Sequence, residues 1–121
     1  SGIERYLNAG LKVILVYPIP EAGWDVPVLL AKKASRGLDT QSLSTPYSAF
    51  ENRYGKLNNM FDDMTHKNLS KLIPSEVLCP DKTRCLNSAG KSVFYYDHNH
   101  LTQTGAKLLT PELVRILKEV R

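Results

Sequence analysis

Residues 11–17, Leu-Lys-Val-Ile-Leu-Val-Tyr, form a nearly unbroken apolar, β-branched run that Pro18 and Pro20 end. Proline offers no amide proton to a sheet ladder, so the strand stops there, and a run without polar alternation suits a strand buried on both faces. Such strands belong to parallel sheets, whose neighbours are joined by helical crossovers. One seven-residue segment therefore steers the chain towards alternating strands and helices.

The remaining punctuation fits that alternation. Residues 1–10 read as the end of a helix, with Gly10 at the terminating position. Asp25-Val-Pro27 offers a cap with proline in the first turn of a helix that Gly37 stops, and residues 38–44 read as a polar connection. Thr45-Pro46 begins the clearest helix, because Tyr47, Phe50, Tyr54, Leu57, Phe61 and Met64 recur at three- and four-residue steps and mark a core-facing stripe. His66 falls at its end, where a positive charge suits the helix C-terminus. Residues 69–73 read as a second sheet strand stopped by Pro74, followed by a helical turn over 75–78. Residues 84–86 and 92–96 flank the turn-rich 87–91 and predict a small hairpin. Thr102 caps a short helix through Ala106, and Thr110-Pro111 restarts it with Leu113, Ile116, Leu117 and Val120 as the buried stripe. This order predicts a three-layer α/β architecture with a mainly parallel sheet.

With 121 residues, 42% hydrophobic and 23% charged, the chain has the composition of one folded domain or a large piece of one, which excludes disorder. The net charge of +4 would suit an anionic polymer or a membrane surface. The basic residues are scattered, as Lys32-Lys33, Lys67, Lys71, Lys82, Arg84 and Lys107, so they read as a solvated surface and no nucleic-acid partner is expected. No apolar run approaches the roughly 20 residues that cross a bilayer, and no signal-peptide pattern opens the sequence, so any membrane anchor is expected outside it.

Cys79 and Cys85 enclose five residues that include Pro80, which makes a disulfide geometrically feasible; two reduced thiols are the alternative. Such a bond persists only in an oxidising compartment. Zinc would need four ligands, and only His66, His98 and His100 could supplement the cysteines, so no metal is expected.

The chemistry concentrates in Phe94-Tyr-Tyr-Asp97-His-Asn-His100-Leu-Thr102, where a carboxylate stands three residues before a histidine at a strand-to-helix junction. An aspartate that accepts from one imidazole nitrogen fixes tautomer and orientation and leaves the other nitrogen to take a proton from a hydroxyl nucleophile. The structural alternative is that Asp97 only caps the following turn while His100 packs beneath the last helix. A metal site of Asp97, His98 and His100 is disfavoured, since on an extended segment the two histidines share one face and Asp97 takes the other.

Asp97-x-x-His100-Leu101-Thr102 with Gly105-Ala106, the apolar strand ending Pro18-Ile-Pro20-Glu21, and the close cysteine pair together resemble the SGNH domain fused to membrane-bound acyltransferases of family three. The usual closing block there is Asp-x-x-His-Leu-Ser. The resemblance implies a flavodoxin-like version of the α/β fold, with Asp97 and His100 catalytic and with no cofactor. It also implies acyl transfer through a serine in a Gly-Asp-Ser-like turn, and a Gly-x-Asn segment. Neither is present here, since none of the serines follows an apolar strand with a glycine-rich turn. The expectation is that residues 1–121 are the C-terminal segment of a single SGNH-like domain, inactive alone, whose nucleophile lies upstream. The resemblance implies an acyl-donor ester and a bacterial surface polysaccharide as substrates, a membrane acyltransferase domain in the same protein, and a place on the periplasmic side of the inner membrane. At the carboxyl end of the first strand, Glu21 and Trp24 are candidates for a wall of the substrate site; a surface glutamate and a loop-anchoring tryptophan are the plainer alternatives. A second function class is a non-catalytic polysaccharide-binding or partner-docking domain with a vestigial Asp/His pair. Unpaired strand edges would favour a homodimer or a swapped assembly of the fragment.

Overall fold

The computed structural model describes residues 2–120. Among the described residues, six helices and five strands follow one another: α1 (Gly2–Asn8), β1 (Val13–Val16), α2 (Val26–Ser35), β2 (Ser42–Pro46), α3 (Tyr47–Asp62), β3 (Leu69–Leu72), α4 (Pro74–Leu78), β4 (Arg84–Ala89), β5 (Ser92–Val93), α5 (Gln103–Lys107) and α6 (Thr110–Glu119), with a 3₁₀ turn at Pro80–Lys82. The protein is a mixed α/β fold.

The sheet divides. β1 and β3 pair in parallel, Val13 opposite Leu69 through Val16 opposite Leu72, while β2, β4 and β5 form a separate antiparallel sheet in the order β2-β4-β5. The first pair joins the apolar run of β1 to the mixed Leu-Ser-Lys-Leu segment of β3 through helical connections. The second sheet departs from the expected mainly parallel arrangement because residues 42–46, read as part of a polar connection and a helix start, form a strand. Ser-Leu-Ser-Thr alternates with period two, and Leu43 and Thr45 turn inward against β4 while Ser42 and Pro46 face out. The β4–β5 hairpin turns at Gly90-Lys91, where Gly90 takes φ +58 in the left-handed region that glycine enters without strain.

β1 is half-buried and not covered on both faces: it has one strand neighbour, and Val16 is 51% exposed. The stripe on α3 is likewise partly covered, with Phe50 buried and Tyr47, Tyr54, Leu57 and Phe61 at intermediate exposure. α3 starts at Tyr47 because Thr45 is held in β2, its hydroxyl donating to Ala22 O at 2.7 Å. His66 lies beyond the end of α3, where its Nδ1 accepts from Asn68 N at 3.0 Å.

Two buried clusters build the interior. Ala22, Val26, Leu43, Phe94 and Tyr95 form one; Phe50, Leu78, Cys79 and Cys85 form the other; Ile19, Leu101 and Leu108 pack against both. Cys79 and Cys85 are joined as a disulfide, which ties the end of α4 to β4. Because α4 follows β3 directly, the bond links the parallel pair to the strand whose hairpin leads to Asp97.

Candidate active site

The segment from Phe94 to Thr102 folds back on itself. Thr102 N donates to Phe94 O at 2.9 Å, Tyr95 and Leu101 form an isolated antiparallel bridge, and Tyr96 N donates to His100 O at 3.0 Å. The tip is a turn built by Asp97, whose Oδ1 accepts from Asn99 N at 2.8 Å and from His100 N at 2.7 Å. An aspartate bonding its own backbone two and three residues on gives the chain this bend in place of an extended path. The bend brings Asp97 and His100 to one side, unlike the alternating faces expected of an extended segment.

Its base is fixed from three directions. Tyr95, fully buried, donates its hydroxyl to Pro20 O, and Ala22 N donates to His98 O at 2.8 Å, so the loop after β1 and the Asp97 turn are stitched together. Thr102 caps α5 by accepting from Gly105 N at 3.0 Å and donates to Val93 O at 2.6 Å. α5 then approaches the strand so closely that a Cβ on Gly105 would lie 2.3 Å from Phe94 O.

Within this frame His100 Nδ1 sits 2.7 Å from Asp97 Oδ2. The Asn99 amide donating to Asp97, then the His100 amide and ring, outweigh burial and hold the carboxyl down at about 2, well below its ordinary 3.8. Once ionised, Asp97 is an acceptor only, so Nδ1 carries the proton, and in the neutral imidazole Nε2 is the nitrogen with the lone pair. The two side chains are 61% and 29% exposed, so His100 is not packed beneath the last helix and its ring reaches solvent. Asp97 does cap the turn, and it holds the imidazole as well. Among the described residues no serine, threonine or cysteine side chain bonds to His100. No group of three or more histidine, cysteine, aspartate or glutamate side chains that could hold a metal occurs among them either.

Glu21 and Trp24 stand on the loop after β1, and neither side chain bonds Asp97 or His100. Glu21 accepts from Tyr54 OH at 3.2 Å and pairs with Arg53 Nε at 3.1 Å, at the edge of a groove of about 460 Å³ that Phe50, Thr45 and Gly23 also line. Trp24 donates from Nε1 to Asn87 Oδ1 at 3.1 Å, anchoring the β1–α2 loop to β4. Asn87 is buried and also bonds Thr45, a role that a residue in a turn-rich stretch does not announce. Tyr96 was another residue that spacing passed over. Its ring stacks on His100 with centroids 5.5 Å apart, and the only sequence signal is its place beside Asp97 in an aromatic run.

The family model of the SGNH domain (fused to AT3 domains) matches residues 1–115, a span that contains the whole Asp97–Gly105 block. The chain belongs to this family. No curated protein and no solved structure matches it. Membership makes this SGNH domain one of an acyl-handling class of hydrolases and acyltransferases, of the kind carried in one protein with acyltransferase-3 domains. Such a protein is a membrane protein, and among the described residues of this domain no helix is long and apolar enough to cross a bilayer.

Proposed function

We propose that this SGNH domain takes part in serine-dependent acyl transfer, moving acetyl groups between an ester donor and a hydroxyl of a bacterial surface polysaccharide on the periplasmic side of the membrane. The observation that carries the reading is the 2.7 Å contact from Asp97 Oδ2 to His100 Nδ1 on an exposed imidazole, which leaves Nε2 as the basic nitrogen of the neutral ring. In this reaction His100 takes the proton of an attacking serine hydroxyl, a covalent acyl-enzyme forms with loss of the donor alcohol, and His100 returns the proton to that alcohol. It then deprotonates the acceptor, a sugar hydroxyl or water, which takes the acyl group while His100 returns that proton to the departing serine oxygen. Asp97 stays ionised and stabilises the imidazolium.

The serine belongs to a preceding part of the same domain in this reading, so that residues 1–121 are the C-terminal segment of a three-layer flavodoxin-like unit. Two observations support that division: no hydroxyl side chain meets His100 among the described residues, and β1 leaves one edge and Val16 uncovered where a parallel strand needs cover. The same free edge gives the isolated chain a route to dimers or swapped assemblies. Glu21 lines a groove on the loop stitched to the Asp97 turn, and with Trp24 it is assigned to the substrate wall on that proximity.

The test is acetate release from an acetyl ester, and transfer to glycan, by the full-length protein. His100→Ala abolishes both, and Asp97→Asn keeps the fold but loses rate by on the order of 10⁴, the loss seen when an amide holds the wrong tautomer in serine proteases. The chain of 121 residues alone is inactive. Near-normal activity of His100→Ala rejects the assignment, and leaves the non-catalytic glycan-binding reading in its place.

A further inference from the structure

The Asp97 carboxylate holds His100 at one ring atom, and a single hydrogen bond leaves an imidazole free to tilt about it. The group that lies against the ring is Tyr96. Its ring lies against the imidazole with centroids 5.5 Å apart and planes 13° apart, an offset-stacked geometry, while its N–H donates to His100 O at 3.0 Å. Ring and main chain of the two residues are thus registered together. Asp97 is the only charged side chain among the described residues that bonds His100, so the acid at Nδ1 and the phenol face account for the restraints on the ring.

Burial does not explain where Tyr96 sits. It is 59% exposed, whereas Tyr95, its neighbour in the same extended run, is fully buried and bonded to Pro20 O. Alternation sends Tyr95 into the core and Tyr96 outwards, onto the side to which the Asp97 turn brings His100. An exposed ring gains little from core packing, so the interaction it makes is with the imidazole. When His100 takes a proton, the imidazolium lies over the electron-rich face of a phenol, an arrangement that favours the cation.

We propose that Tyr96 is a positioning residue for the His100 base: it holds the plane of the imidazole so that Nε2 points at the hydroxyl to be deprotonated, and it stabilises the imidazolium between the two proton transfers. This rests on the reading of His100 as the base. The required element is the aromatic face and not the phenol hydroxyl.

The experiment compares wild type, Tyr96→Phe, Tyr96→Leu and His100→Ala in the full-length protein, with an aryl acetate as probe and kcat and KM measured separately. The ring-current shift of the His100 Hε1 and Hδ2 protons is followed by NMR in the same full-length proteins. Tyr96→Leu is expected to lower kcat about tenfold with KM within about twofold, the size of loss that misorientation of a reacting group produces, and to abolish the ring-current shift. Tyr96→Phe keeps the shift and stays within about twofold of wild type in kcat. A wild-type kcat in Tyr96→Leu alongside an inactive His100→Ala overturns the role of Tyr96 and leaves His100 as the base. A raised KM at unchanged kcat makes Tyr96 a substrate contact and overturns the proposal, as does a Tyr96→Phe variant as slow as Tyr96→Leu. Activity in His100→Ala, or no acetate released by wild type, removes the catalytic reading and this inference with it.

Discussion

Replacing Gly105 by alanine separates two opposing effects whose sizes differ. In the middle of a helix alanine is favoured over glycine by about 1 kcal/mol, so on propensity alone the substitution stabilises α5. At Gly105, however, the new Cβ lies 2.3 Å from Phe94 O and 3.0 Å from Phe94 C and Cα, all backbone atoms that cannot rotate away. Phe94 is held at both faces, its carbonyl accepting from Thr102 N at 2.9 Å and its side chain lying in the buried cluster with Tyr95. Relief must come from moving α5 or the strand, at the upper end of the cost of overpacking, about 3 kcal/mol. The net expectation is a loss of about 2 kcal/mol, or roughly 8 °C in melting temperature for a domain of this size. Gly55→Ala in α3 is the matched control. Its Cβ meets only Glu51 Cγ, at 3.9 Å, so propensity acts unopposed and stability rises by about 0.5–1 kcal/mol. Urea unfolding followed by circular dichroism reads both. If Gly105→Ala is as stable as wild type, α5 does not approach the strand as described, and the claim that this contact fixes the base of the Asp97 turn fails.

Reduction of the Cys79–Cys85 bond is expected to lower unfolding free energy by about 2 kcal/mol, the loop-closure entropy of a short ring, without dissolving the fold; urea midpoints with and without reductant check this, and complete alkylation of both thiols before reduction contradicts the bond. The depressed pKa of Asp97 sets an acid dependence whose sign is fixed: the folded value of about 2 lies below the ordinary 3.8, so the carboxylate's contribution is present above about pH 4 and is lost as pH falls towards 2. Asp97→Asn should flatten the urea midpoint across that window relative to wild type, and an unchanged slope would show that the turn does not depend on the charge.

What the chain's local chemistry determined by itself is whatever one short stretch carries in its own spacing. The apolar run before Pro18 gives β1, the Asp25 and Thr102 caps open α2 and α5, and Gly10 and Pro74 end the elements before them, because caps and breakers act within a few residues. The three-residue interval from Asp97 to His100 was visible in the same way. Tertiary structure decided the rest. β2 carries a short polar alternation that becomes a strand only once β4 lies beside it, and the exposure of β1 depends on how many strands flank it. The turn that joins Asp97 to His100 and lays the Tyr96 ring on the imidazole is local, but where it stands in the molecule depends on contacts remote in sequence, Tyr95 to Pro20 and His98 to Ala22. Short-range spacing encodes a turn that closes on itself, but the bond from Tyr95 that anchors its base reaches Pro20, 75 positions away, and is supplied only by the folded chain.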